Sequence, residues 1–95
     1  MKVYQASDKY LYSEIDSEAV ILDVNSGTYF GLNEVSNFIW QLLQTPSSQQ
    51  QLVAGILAEY EVTEAEAVRD ITSLLQEMSD AGLVEVVNEE VATVG

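Results

Sequence analysis

Apolar residues alternate with polar ones in the first third of the chain and recur every three to four residues beyond it, which predicts strands first and helices afterwards. Tyr10 to Ile15 and Glu18 to Val24 are rich in β-branched and aromatic residues, with Asp16-Ser17 as the turn between them. Asp23-Val24-Asn25-Ser26-Gly27-Thr28 then predicts a tight hairpin turn in which Gly27 takes the positive φ. A third strand, Thr28 to Leu32, returns antiparallel. Thr28, Phe30 and Leu32 share one of its faces, Tyr29 and Gly31 the other, and cover is expected on one side only.

From Asn33 the period becomes helical. Asn33 is a good N-cap, and Val35, Phe38, Ile39, Leu42 and Leu43 form a stripe along a first helix that Thr45-Pro46-Ser47 ends. Ser48 to Gln51 resembles a capping box opening a second helix, with Leu52, Ile56, Leu57 and Tyr60 as its stripe and Gly55 as a weak point. Thr63-Glu64-Ala65-Glu66 is a cleaner capping box, with Val62 and Ala67 placed as a hydrophobic staple, and the third helix runs to about Ala81. Gly82 is the expected residue just past that helix, Leu83 folds back on its last turn, and Leu83 to Val87 forms a terminal strand. The architecture is α+β: a small three-stranded antiparallel sheet followed by three helices and a short wing strand, the winged helix-turn-helix plan. Residues 1–95 make one domain with its core at about 8–87 and a frayed tail at 88–95.

Composition narrows the chemistry. Three Lys+Arg against sixteen Asp+Glu give a net charge of −13, which repels nucleic acid. With no cysteine and no histidine, thiolate nucleophiles, imidazole bases and Cys/His zinc sites are excluded. No cofactor, metal site or catalytic residue is expected, since nothing sets two carboxylates in an apolar cleft that would raise one pKa. The longest apolar runs fall far short of the roughly 20 residues that span a bilayer, and Met1-Lys2-Val3-Tyr4 opens no signal-peptide core, so no membrane is involved and the cytoplasm is the expected location.

Leu22-Asp23 before a glycine turn, Gly27 to Asn33 running into a helix that holds Ile39-Trp40-Gln41-Leu42-Leu43, and Ala81-Gly82-Leu83-Val84 give the chain its likeness. Over Glu18 to Val87 it resembles the PqqD-like recognition elements of pathways that modify ribosomally made peptides, most of all the free-standing leader-binding domains of lasso-peptide synthesis. The resemblance implies a leader peptide added as an extra strand beside Thr28, Tyr29, Phe30, Gly31 and Leu32, in a groove walled by the third helix. It also implies a leader peptidase, an ATP-dependent cyclase or another modifying enzyme as partners, and a leader carrying tyrosine and proline anchors.

The residues permit that mode. Thr28 to Leu32 has no proline and none of the lysines that usually block edge pairing. On the third helix Val68, Ile71, Leu75 and Met78 lie around one meridian and read as core. Ala67, Asp70, Leu74, Glu77 and Ala81 lie on an adjoining flank that mixes apolar and acidic positions, the composition of a groove wall. Leu74 is open to a core reading, Asp70 to that of a solvated helix residue, and Tyr29 and Phe30 to ordinary packing. Trp40, off the first helix's stripe, is either a partner contact or packed beneath the sheet or the N-terminal segment. Two rival functions stand beside leader binding. A winged-helix regulator would need a basic third helix, but this one sets Glu64, Glu66, Asp70, Glu77 and Asp80 against a single Arg69. An acidic carrier protein would need an Asp-Ser-Leu-like attachment site, and neither Ser36 nor Ser73 lies in one.

Overall fold

Among residues 2–16 and 18–88, which the computed structural model describes, the chain forms β1 (Lys2–Ala6), β2 (Tyr10–Ile15), β3 (Glu18–Asp23), β4 (Tyr29–Leu32), α1 (Glu34–Leu42), β5 (Ser47–Ser48), α2 (Gln49–Glu59), α3 (Glu64–Asp80) and β6 (Val84–Asn88). Two small antiparallel sheets result, one ordered β2-β3-β4 and the other β5-β1-β6. The first is the expected sheet. The second rests on β1, which lies before the expected core boundary at residue 8: it pairs with β6 from Lys2↔Asn88 to Ala6↔Val84 and buries Val3. Most of the tail expected to fray, residues 89–95, lies outside the described residues.

Each helix is started by its own cap. Asn33, Ser48 and Thr63 each accept a hydrogen bond from the backbone three residues on, and Ser36, Gln51 and Glu66 each reach back to the cap's N–H. These reciprocal bonds satisfy N–H groups that a helix start otherwise leaves orphaned. At the far end of α3 the Leu83 N–H donates to the Met78 carbonyl at 2.8 Å and the Gly82 N–H to Ser79 at 3.1 Å, the Schellman arrangement. Gly82 has φ 78°, and a Cβ there would stand 3.2 Å from the Tyr10 hydroxyl. We expect Gly82→Ala to cost about 1–2 kcal/mol from the left-handed backbone alone, read as a lower midpoint in urea.

The core lies between the inner face of β2-β3-β4 and the helices. Ile21, Ile39, Leu43, Leu52 and Ile71 are its fully buried members. Trp40 is 3% exposed and joins the same cluster, so it is a packing residue, not a partner contact. Near it β1 crosses the end of α1, with the Ala6 N–H donating to the Leu43 carbonyl at 2.8 Å. Gly55 turns out to serve the packing: a Cβ there would meet the Leu42 methyl at 2.9 Å, so its absence lets α1 approach α2.

Three expectations about helix faces need correction. Val68, expected in the core, is 41% exposed: the buried stripe of α3 runs through Ala67, Ile71, Leu75 and Met78 instead. Ala67, expected on the flank, is 2% exposed beneath Val35, Ile56 and Val62. On α2 the buried stripe is Leu52, Val53 and Ile56, while Leu57 faces out.

Candidate functional site

The open edge of β4 is the starting point. Among the described residues β4 pairs only with β3, in the register Ala19↔Leu32, Val20↔Gly31, Ile21↔Phe30 and Leu22↔Tyr29. One step beyond that ladder the Asp23 N–H donates to the Thr28 carbonyl at 2.8 Å. Hydrogen-bonded and non-hydrogen-bonded pairs alternate in antiparallel ladders, so Phe30 and Leu32 direct their backbone groups to β3. The N–H and C=O of Tyr29 and Gly31 therefore point outward along the free edge. β1 is engaged with β5 and β6.

The turn before β4 is held by one carboxylate. Asp23 accepts from the Asn25 N–H and the Ser26 hydroxyl, both at 3.0 Å, and the Ser26 Oγ accepts from the Thr28 N–H at 3.2 Å. Thr28 thus belongs to the turn and β4 begins at Tyr29. The Asn25 N–H holds the Asp23 carboxyl below its ordinary value, against some desolvation and with help from Ser26. A carboxylate whose pKa is lowered by folding adds stability above its unfolded pKa, near 3.9, and loses it as pH falls through the lower folded value. The stability gap between wild type and Asp23→Ala should therefore narrow as pH falls below about 4, checked by thermal melts of both proteins across that range.

Between this edge and α3 runs a groove of contiguous hollows. One, of about 320 Å³, is lined by Phe30, Leu32, Leu74, Glu77, Met78 and Leu83 among others. A second, of about 330 Å³, continues past Asn33, Val35, Ser36, Asp70 and Leu74. A smaller apolar hollow of about 90 Å³ opens between Val35, Tyr60, Val62, Ala67, Asp70 and Leu74. Leu74 lines all three and stands at the groove's centre. At one end of the groove the Tyr10 hydroxyl donates to the Ala81 carbonyl at 3.3 Å, tying the sheet to the end of α3. At the other, Tyr60 packs edge-on against Phe38 at 5.7 Å, and burial, with the Glu34 and Glu59 carboxylates, holds its phenol above the ordinary range.

Most of the residues singled out from sequence meet here, in different ways. Phe30 and Leu32 turn their side chains inward to the core and the groove floor. Tyr29 and Gly31 offer backbone to the edge, and the Tyr29 side chain is 69% exposed on the opposite face of the sheet. Asp70 and Glu77 form an acidic lip beside Leu74, and Ala67 closes the bottom of the small hollow. Not singled out were Val35 and Ser36 on α1 and the pair Tyr60-Val62. The signal for Val35 was its place on an apolar stripe wider than the contact α1 makes.

Among the described residues no group of three or more His, Cys, Asp or Glu is arranged to hold a metal ion, and no helix is long and apolar enough to cross a membrane. The profile of the family described as coenzyme PQQ synthesis protein D (PqqD) matches residues 18–84. The chain belongs to the PqqD family. No curated protein matches it significantly. Its fold is similar to that of TbiB1 solved in complex with the TbiA(beta) leader peptide, at 36% identity over 85% of this chain and 94% of that one, with a TM-score of 0.77. It is also similar to a lasso peptide synthetase B1 complexed with its leader peptide, at 28% identity over 86% of this chain and 96% of that one, again with a TM-score of 0.77. This PqqD-family chain shares with both a mixed α+β architecture.

Proposed function

We propose that the protein binds the leader segment of a ribosomally made precursor peptide, in lasso-peptide synthesis, and presents it to modifying enzymes. The leader adds as a strand to β4, pairing with the outward N–H and C=O groups of Tyr29 and Gly31, and its inward side chains enter the groove beside Leu74. The single observation that carries this reading is the vacant β4 edge facing a groove whose far wall is α3. The two similar structures, each with a leader peptide, support it. Leu74 and the small hollow next to it take an apolar or aromatic anchor, and Asp70 accepts a hydrogen bond from the leader. The role is binding without a catalytic step, in the cytoplasm, and the enzymes served are a leader peptidase and an ATP-dependent cyclase. A DNA-binding role for α3 is opposed by its charge, since phosphate contacts require lysine and arginine.

Amide hydrogen exchange tests the pairing directly. On addition of a synthetic leader the Tyr29 and Gly31 amides should slow, while Phe30 and Leu32, already bonded to β3, change little. Saturable leader binding with no slowing at Tyr29 and Gly31 removes strand addition from the mechanism.

A further inference from the structure

The two helical walls of the groove are held to β4 in different ways. α1 follows β4 directly through the Asn33 cap and moves with it, whereas α3 begins at Glu64, far along the chain. Whatever fixes α3 against the sheet therefore fixes the width of the groove. Tyr10 and Tyr12 share the inner face of β2, where the register sets Tyr12 opposite the fully buried Ile21. The Tyr10 hydroxyl donates to the Ala81 carbonyl at 3.3 Å. The carbonyls of Glu77, Met78 and Ser79 accept from the N–H groups of Ala81, Leu83 and Gly82, so Tyr10 serves a carbonyl that the turn ending α3 leaves over. Gly82 makes room for it, since a Cβ there would stand 3.2 Å from the hydroxyl. Partial burial, with the Asp23 carboxylate opposite on β3, holds the phenol above its ordinary range, so it remains a donor at neutral pH and beyond.

We propose that Tyr10 is a positioning residue for leader binding: its hydroxyl holds the end of α3 at the distance from β4 at which the groove matches the guest's inward side chains. The role rests on the leader-binding reading. Ala81 and Leu83, on either side of the tie, line the same hollow as Phe30 and Leu74, so a shift at the tie is a shift of the groove wall. Without the hydroxyl, held and loosened arrangements are both populated, and leader affinity falls in proportion to the fraction that stays held. Tyr12 supplies the contrast. It lies on the same strand and face, and its hydroxyl donates to the Asn37 side chain at 2.8 Å, but Asn37 belongs to α1, which β4 already carries with it.

The test uses the full chain. Tyr10→Phe should weaken binding of a synthetic leader about fivefold, the effect of one net hydrogen bond, and Tyr12→Phe should leave it within about twofold. A merely less stable fold would weaken every leader alike, so selectivity is the second readout. A leader whose groove-facing anchor is enlarged to tryptophan should be penalised by wild type, and at least about threefold less by Tyr10→Phe. The third readout needs no leader. The chain has no cysteine, so spin labels attach only where one is introduced. With Asn25→Cys in the turn before β4 and Gln76→Cys on α3, both exposed, the distribution of sheet-to-helix distances should broaden in Tyr10→Phe and not in Tyr12→Phe. Equal losses of affinity in the two variants overturn the proposal, as does an unchanged penalty against the enlarged anchor or an unchanged distance distribution. A broadened distribution in Tyr10→Phe, together with no leader binding by wild type, supports the fastening of α3 and rejects only the leader reading.

Discussion

Leu74→Arg weakens leader binding by at least about tenfold, or 1.4 kcal/mol, without unfolding the protein. Leu74 lies at the junction of the three hollows along the groove and is only half-buried, so the cost to folding is small while every guest side chain entering the groove meets the change. Arginine replaces an apolar contact with a strongly hydrated group where the guest must exclude water. The neighbouring Asp70 and Glu77 hold the new guanidinium across the groove mouth, adding bulk to the loss. A leader carrying proline where its N–H should meet the β4 edge loses affinity to a similar extent for an unrelated reason, since proline has no donor to give. Titration of a fluorescent leader by anisotropy reads both. Unchanged affinity in both leaves the groove without a role.

Trp40→Ala costs about 3–5 kcal/mol of folding stability, a large part of the roughly 5–15 kcal/mol that domains possess. The side chain is buried with Ile39 and Leu43 in the cluster where the helices meet Leu83 and Val84, and removing it leaves a cavity that a chain of this size has few ways to refill. Urea denaturation followed by far-ultraviolet circular dichroism measures it, because the substitution removes the one tryptophan that fluorescence would use. An interface tryptophan would change the midpoint by no more than about 0.5 kcal/mol, the ordinary range for surface substitutions.

What the amino-acid order made legible was local. The capping residues Asn33, Ser48 and Thr63 and the Gly82 stop follow from interactions within six residues, and β2 to β4 from alternation around short turns, with β4 starting one residue later than the pattern placed it. What it hid depended on contacts between distant segments. Lys2 to Ala6 is too short to announce itself, and becomes β1 only because Val84 to Asn88 pairs with it. The faces of α3 were drawn correctly to within a quarter turn, yet whether Ala67 or Val68 is covered depends on where the neighbouring elements pack against it. Among the candidate site residues, alternation shows that every second member of Thr28 to Leu32 turns its backbone groups outward, but that these are Tyr29 and Gly31 is fixed only by the Asp23–Thr28 bond. The side of the sheet that holds the groove could not be read, because both faces of β4 carry an aromatic residue.

Lys2 faces Asn88 across a single antiparallel ladder, so the described body enters and leaves at one corner. That corner lies on the flank of α3 that carries Thr72, Gln76 and Ser79, and the groove residues Asp70, Leu74 and Glu77 occupy the reverse flank. A domain tethered at either end would therefore hang behind α3 and leave the groove clear. The same closure makes the body a candidate for circular permutation: a short link from 88 to 2 spans one strand spacing, about 5 Å, and a break in the 24–27 turn would place new ends beside the groove.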